Sequence, residues 1–242
     1  MKTPTLAVAV AQPEIIRGDI QANADRHAAA IRFASARVVV FPELSLTGYE
    51  LDAPAVALDD PALAGIVAAC RETGTVALVG APVADHGDLF IATLRVDGAG
   101  VRTAYRKTWL HGDENIRFSR GPGATTIDVD GWTIGLAICK DTGASQHTAQ
   151  IARLDVDLYA AGVVDLPEDL VEGRARAFVI SRAINAPVAV ASFAGPTGGD
   201  FTRTAGHSAI HDGRGRLLAE ADEHAGSIAV AVLRDDRGLA RG

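Results

Sequence analysis

The chain has 242 residues, of which 48 % are hydrophobic and 22 % charged, and its formal net charge is −7. This balance predicts a soluble protein with a substantial core, and it argues against a general nucleic-acid-binding protein, which would carry a basic surface. Every apolar stretch falls short of the roughly 20 residues that a membrane helix needs. We therefore expect a cytoplasmic protein that does not contact membranes.

Cysteine and lysine are both scarce in this chain. The two cysteines, Cys70 and Cys139, are too few for a disulfide scaffold and match no zinc-binding spacing, so we expect neither a metal nor another cofactor. The three lysines are Lys2, Lys107 and Lys140, whereas arginine supplies the other basic residues. A lysine here therefore marks a position where a compact ammonium has a particular use.

Apolar runs and turn signals predict the elements of the chain in order. In the first half, strands are expected at 5–11, 37–41, 76–80, 89–96 and 100–105, with helices at 19–36 and 61–73. In the second half, strands are expected at 125–129, 132–138, 156–161, 187–193, 206–210, 217–221 and 227–233, with helices at 145–154 and 167–185. The chain shows no repeat and no linker-like segment, so we expect one mixed-sheet α/β domain over residues 1–242.

Three chemically capable side chains follow directly on predicted strands. Glu43 comes after the strand at 37–41, Lys107 after the hairpin arm at 100–105, and Cys139 after the strand at 132–138. A carboxylate can take the proton of a thiol whose pKa is near roughly 8.5, and an ammonium can hold the oxyanion that forms when the thiolate attacks a carbonyl. Taken singly, each residue also fits an ordinary structural role: Glu43 as a loop acid, Lys107 as a solvated cation and Cys139 as a core thiol.

The segments around these residues resemble those of a known family. In order, 41–49 (FPELSLTGY), 105–110 (YRKTWL) and 135–141 (GLAICKD) resemble the segments that carry the catalytic glutamate, lysine and cysteine of the nitrilase (carbon–nitrogen hydrolase) superfamily, in its amidase-like branch. Flanking segments near 9–13, 182–190 and 206–219 extend the resemblance nearly end to end.

The resemblance implies a fold and a set of roles. The expected fold is a four-layer α-β-β-α sandwich with mixed sheets, which pairs into homodimers or larger homo-oligomers. Glu43 would be the general base, Lys107 the oxyanion donor and Cys139 the nucleophile. Glu114 would position the substrate, with a surface loop acid as the alternative, and Tyr49 would line the pocket, with a core aromatic as the alternative.

The sequence departs from the family pattern just after the cysteine. Lys140 stands where an aromatic residue is common, and residues 142–146 (TGASQ) replace a run similar to Arg-Phe-Pro-Glu. The side chain of Lys140 could bind an acidic substrate group or lower the pKa of the thiol. It could also point to solvent and leave only its backbone N–H for the oxyanion, which is the interpretation that we favour.

The resemblance implies hydrolysis of a small amide or carbamoyl compound to an acid plus ammonia or an amine, through a cysteine thioester. Nitrile hydrolysis and acyl transfer use the same site and remain alternatives, as does a catalytically silent scaffold protein. No Gly-x-Ser-x-Gly elbow is present to support a serine hydrolase. The expected partner is a small-molecule substrate.

Overall fold

The computed structural model describes residues 2–199 and 201–235, which form two mixed six-stranded sheets. Its strands are β1 (Thr5–Ala11), β2 (Val38–Val40), β3 (Val76–Asp85), β4 (Asp88–Asp97), β5 (Gly100–Arg106), β6 (Thr126–Val129), β7 (Trp132–Ile138), β8 (Leu158–Val163), β9 (Val188–Ser192), β10 (Ala209–His211), β11 (Leu217–Glu220) and β12 (Ile228–Arg234). Its helices are α1 (Ile20–Ala34), α2 (Ala64–Thr73), α3 (Glu114–Arg117), α4 (Ser145–Ala152) and α5 (Leu170–Ile184). Residues 1, 200 and 236–242, the ends of the predicted single domain among them, lie outside the described residues.

The two sheets share one pattern of strand directions. The first has the order β12-β1-β2-β3-β4-β5, with β1, β2 and β3 parallel and the other pairs antiparallel. The second has the order β11-β10-β9-β8-β7-β6, with β7, β8 and β9 parallel. In each sheet the parallel strands are interior strands, so the loops that follow β2 and β7 do not start from an edge strand.

Three hydrophobic clusters hold four layers together. One contains Val8, Ile134 and Leu158 and joins the two sheets face to face. A second packs Ile31 of α1 and Ile66 of α2 on the outside of the first sheet, and the third includes residues of α4 and α5 against the outside of the second. The central strands are buried on both faces, which explains their continuous apolar runs. The expected α-β-β-α sandwich is confirmed.

Most predicted elements are present with shifted ends. The helix predicted at 19–36 is α1, which begins after Asp19, whose side chain accepts a hydrogen bond from the Ala22 N–H at 3.0 Å. Strand β3 continues to Asp85, beyond the predicted end at residue 80, and pairs with β4 from Ala77 to Asp85. In the described part of the chain, no helix is long and apolar enough to cross a bilayer.

Candidate active site

Glu43 lies on a loop that passes between the two sheets. The chain leaves β2 at Val40, and two strand glycines face the loop from opposite sides. A Cβ on Gly80 of β3 would lie 2.3 Å from the Pro42 carbonyl oxygen, and a Cβ on Gly162 of β8 would lie 2.5 Å from the Phe41 carbonyl oxygen. Only glycine leaves room for the backbone here. This passage holds the Glu43 side chain in the buried space between the sheets.

Lys107 follows β5 and is completely buried. Its Nζ lies 2.6 Å from Glu43 Oε1 and 2.7 Å from Glu114 Oε1. An ammonium has three N–H donors, so two carboxylates leave one donor for another acceptor. A buried lysine is tolerated here because it is paired twice. Lys107 therefore combines a fixed position with one donor that a substrate oxygen can use.

Glu114 opens the short helix α3 and is fully buried, which excludes the alternative of a surface loop acid. Its Oε1 accepts a hydrogen bond from the Tyr49 hydroxyl at 2.5 Å in addition to that from Lys107, and its Oε2 accepts one from the His111 N–H at 2.8 Å. Tyr49 is also buried and packs edge-on against Phe201. Glu114, itself held by Tyr49, is thus the second carboxylate that fixes the lysine beside Glu43.

Cys139 stands at a sharp turn directly after β7. Its φ is 42°, a left-handed conformation that is uncommon for residues other than glycine, and a 3₁₀ turn over Cys139–Gly143 follows. Backbone strain of this kind is often found at functional sites. Cys139 is half-buried as a residue, with Sγ 3.8 Å from the Val164 carbonyl oxygen, whereas Cys70 lies on α2 and is buried in the core. The turn presents the sulfur at the end of the sheet.

The charges of the site make Glu43 a suitable base. Burial raises the pKa of Glu43 to about 7, although the ammonium of Lys107 opposes this rise, as does a hydrogen bond with Cys139. Its Oε2 is buried without a hydrogen-bond partner in the described part of the chain. Burial and the charge of Glu43 raise the pKa of Cys139, so the proton rests on sulfur. Glu43 is the basic group placed to remove it.

Lys107 keeps its charge in this setting. Burial alone would lower its pKa, but the carboxylate of Glu43 and then the thiolate form of Cys139 outweigh burial, and the pKa of Lys107 lies above its ordinary value. A permanent ammonium between two carboxylates lets the buried cluster carry a single net negative charge. The structure therefore brings Glu43, Lys107, Glu114, Tyr49 and Cys139 into one cluster.

Lys140 is placed differently from the rest. Its side chain is exposed, and after Arg176, which lowers the pKa of Glu172 on α5 most, the charge of Lys140 adds to the same effect. A role for the side chain in substrate binding stays a prediction, and its backbone N–H remains the group adjacent to the nucleophile.

Asp141 is the residue of this site that sequence reasoning did not assign. It is fully buried; its Oδ2 accepts a hydrogen bond from the Ile138 N–H at 2.9 Å, and its Oδ1 accepts one from the Trp109 N–H at 2.9 Å. It therefore ties the cysteine turn to the segment that carries Lys107. The sequence could have indicated Asp141 by its position: it is a carboxylate two residues after the thiol, where a turn must satisfy its own backbone N–H groups.

The family model described as carbon–nitrogen hydrolase matches residues 7–241. The chain belongs to the carbon–nitrogen hydrolase family. Among curated relatives, it is 30 % identical over 147 residues to an (R)-stereoselective amidase of a Pseudomonas species, a match that covers 58 % of this chain and 54 % of the amidase. The chain spans between 41 % and 61 % of the length of the curated relatives that it matches.

Solved structures of this family share the fold. Nit3 of Saccharomyces cerevisiae, a member of branch 10 of the nitrilase superfamily, superposes with a TM-score of 0.86 at 20 % identity, over 99 % of this chain and 94 % of Nit3. A double mutant of the amidase from Nesterenkonia sp. AN1, in complex with acrylamide, gives a TM-score of 0.82 at 22 % identity, over 100 % of this chain and 98 % of the amidase. These likenesses confirm the nitrilase-superfamily fold of this carbon–nitrogen hydrolase.

Proposed function

We propose that this carbon–nitrogen hydrolase cleaves small non-peptide amides or carbamoyl compounds through a thioester on Cys139. The observation that carries the proposal is the buried cluster in which Lys107 Nζ lies 2.6 Å from Glu43 and 2.7 Å from Glu114, beside the strained cysteine turn. Such a cluster holds a base, an oxyanion donor and a nucleophile together, which is the set that acyl transfer from an amide requires.

Acylation begins with proton transfer from Cys139 to Glu43. The thiolate attacks the carbonyl carbon, and the oxyanion accepts hydrogen bonds from the remaining donor of Lys107 and the backbone N–H of Lys140. Donors of this kind are typically worth about 3–4 kcal/mol each in the transition state. Glu43 then gives its proton to the leaving nitrogen, the C–N bond breaks, and ammonia or an amine departs.

Deacylation repeats the sequence with water. Glu43, again ionised, takes a proton from a water molecule that attacks the thioester carbon. The oxyanion uses the same donors, the C–S bond breaks, and the sulfur recovers its proton from Glu43. The acid product leaves and the cluster returns to its starting state.

The similarity of this chain to amidases favours amide substrates over nitriles. One of the relatives at 30 % identity is an amidase, and the Nesterenkonia protein of the same fold is an amidase seen with small aliphatic amides. Acyl transfer from the same thioester to an added amine is a second candidate, since Cys139 is half-buried and not fully enclosed.

The test is ammonia release from a panel of small aliphatic amides, carbamoyl amino acids and nitriles, with the Cys139→Ala variant as blank. Turnover of at least one amide or carbamoyl compound above the blank is expected. Release from nitriles alone would overturn the amide assignment, and a panel without any release would overturn the proposal. Product analysis with and without a simple added amine distinguishes hydrolysis from transfer, because hydrolysis gives the acid in both cases whereas transfer gives the N-substituted amide.

Assembly into a homodimer or larger homo-oligomer, and a cytoplasmic location, stay predictions. The exposed apolar side chains Val171, Phe178 and Val179 on α5 are consistent with a covered helical face. Sedimentation of the full chain would test the assembly, with a dimer mass expected and a strictly monomeric protein contradicting it.

A further inference from the structure

His27 is a fully buried histidine of α1 that the proposed mechanism does not use. Its ring packs against Phe41, with the two ring centroids 4.2 Å apart. Its Nδ1 lies 2.6 Å from the Asn23 carbonyl oxygen, and its Nε2 lies 2.8 Å from Ser45 Oγ. Ser45 belongs to the loop that carries Glu43 between the sheets, so His27 contacts this loop at two of its residues.

The hydrogen-bond partners of His27 define its tautomer. A carbonyl oxygen can only accept, so Nδ1 carries the proton that is donated to Asn23. Burial lowers the pKa of His27 to about 4, so the ring is neutral at pH 7 and its Nε2 is left as an acceptor. Ser45 therefore donates its hydroxyl proton to Nε2, and its Oγ accepts a hydrogen bond from the Gly80 N–H at 3.3 Å. The hydrogen bonds run in one direction, from Gly80 through Ser45 and His27 to Asn23.

Ser45 closes the turn on which Glu43 stands. Its backbone N–H donates to the Pro42 carbonyl oxygen at 3.3 Å, which leaves Glu43 and Leu44 as the two middle residues of the turn. Leu44 has a φ of 52°, a left-handed conformation that is costly for a leucine. A strained turn of this kind persists only where its surroundings hold it, and the hydrogen bond with His27 holds the side chain of Ser45.

Asn23 holds the same loop from one helical turn earlier. Its Nδ2 donates to the Leu46 carbonyl oxygen at 2.9 Å and to the Ile16 carbonyl oxygen at 2.8 Å, and its Oδ1 accepts a hydrogen bond from the Ile16 N–H at 2.8 Å. These bonds fix Asn23, whose own carbonyl oxygen orients the His27 ring. Helix α1 therefore holds two consecutive residues of the loop, Ser45 and Leu46, from one buried face.

We infer that His27 is a positioning residue of the reaction, which acts through Ser45 to hold the turn that places the Glu43 carboxylate beside Cys139. The inference rests on the proposed function and deepens it. Glu43 must lie within hydrogen-bond reach of the thiol to take its proton, and a displacement of about 1 Å can cost about 100-fold in rate. The support that α1 gives to the turn therefore contributes to the rate as well as to the stability of the fold.

Two variants remove the hydrogen bond between His27 and Ser45, one from each end. His27→Phe keeps an aromatic ring against Phe41 and removes the acceptor Nε2, whereas Ser45→Ala removes the donor hydroxyl. With an amide that the parent protein hydrolyses, we expect each variant to lower kcat by about 10- to 100-fold and to change KM by less than about threefold. Because the two residues act along one chain, kcat of the double variant should lie within about threefold of the lower single variant. Losses that multiply in the double variant would contradict the inference.

A conservative variant and a matched control separate positioning from stability. The side-chain oxygen of His27→Gln can accept from Ser45 in place of Nε2, so its kcat should exceed that of His27→Phe by about fivefold or more. Ile31→Val, one turn further along the buried face of α1, loosens the packing of the helix but leaves the hydrogen-bond chain intact. It should keep kcat within about twofold of the parent value. Equal kcat values for His27→Phe and Ile31→Val would show a structural role only and would overturn the inference.

The pH profile of kcat/KM reports the position of Glu43 as well. Burial raises the pKa of Glu43 to about 7, and the charged groups that face it, Lys107, Glu114 and Cys139, are unchanged in these variants. A loosened turn lets water reach the carboxylate, so the midpoint of the profile should fall by about half a pH unit or more in His27→Phe. The control variant should keep the parent midpoint, and equal midpoints in the two variants would contradict the inference.

If no amide is turned over, the proposed function fails separately. The inference is then decided by NMR titration of the side-chain carboxyl carbon of Glu43, whose signal is identified by its loss in Glu43→Gln. We expect the pKa of Glu43 to be lower in His27→Phe than in the parent protein by about half a pH unit or more. Equal pKa values in the two proteins would overturn the inference.

Discussion

The hydroxyl of Tyr105 donates a hydrogen bond to Asp141 Oδ2 at 2.9 Å, which joins the strand leading to Lys107 with the turn that carries Cys139. The same hydroxyl lies 3.2 Å from His147 Nε2, and the whole group is buried. Burial lowers the pKa of His147, so the imidazole is neutral and can share hydrogen bonds with its neighbours. This buried network joins the two sheets and links the segment that carries Lys107 to the turn that carries Cys139.

Tyr105→Phe tests the positioning role of this network. Asp141 keeps its two backbone donors, so we expect the free energy of unfolding to fall by only about 1–2 kcal/mol, the value of one buried hydrogen bond. We expect kcat to fall about tenfold with little change in KM, since the binding groups remain but their alignment loosens. Denaturant unfolding and steady-state kinetics measure the two effects. A variant with full kcat would show that the network is structural only.

The pH dependence of kcat/KM should report the ionisation of Glu43. Burial raises its pKa to about 7, and only the ionised form can accept the thiol proton. Activity on a neutral amide should therefore rise about tenfold per pH unit below 7 and level off above it. A profile that is flat between pH 5 and 8 would contradict the assignment of Glu43 as the base.

Glu114→Gln should lower kcat/KM by about 10- to 100-fold, because Lys107 loses the charge of one of its two carboxylate partners and its position loosens. Tyr49→Phe removes a single hydrogen bond to Glu114 and should have a smaller effect in the same direction. Glu72→Gln, which changes an exposed partner of Arg32, is the matched control and should keep at least half of the parent activity. Equal activity of Glu114→Gln and Glu72→Gln would show that the charge of Glu114 has no role in the reaction.

Gly80→Ala should unfold or strongly destabilise the protein, because the added Cβ would lie 2.3 Å from the Pro42 carbonyl oxygen and force the Glu43 loop to move. We expect a loss of about 3 kcal/mol or more in the free energy of unfolding, at the upper end of overpacking effects. Gly65→Ala on α2 is the control: the nearest atom to its Cβ is 3.8 Å away, so a gain of up to about 1 kcal/mol is expected. Thermal unfolding of both variants measures the two effects. Similar melting temperatures would refute the claim that the Pro42 carbonyl leaves no room for a Cβ at residue 80.

The sequence predicted that Glu43, Lys107 and Cys139 come together, because each follows an apolar strand and strand ends meet at a common edge. Their catalytic roles stay predictions. It did not predict the passage between Gly80 and Gly162, since a glycine inside a strand does not reveal which backbone approaches it. Nor did it predict Asp141, because two of its three hydrogen bonds come from Tyr105 and Trp109, which are remote in sequence. The end of β3 was misplaced because Pro82 lowers strand propensity, while pairing with β4 stabilises the strand beyond it.

Peptide mass mapping of the protein quenched in acid during turnover tests the central claim most directly. The account predicts the acyl mass on the peptide that contains Cys139, no such mass on the peptide that contains Cys70, and no product from Cys139→Ala while Cys70→Ala keeps its activity. An acyl group on another residue, or product formation by Cys139→Ala at the parent rate, would contradict it.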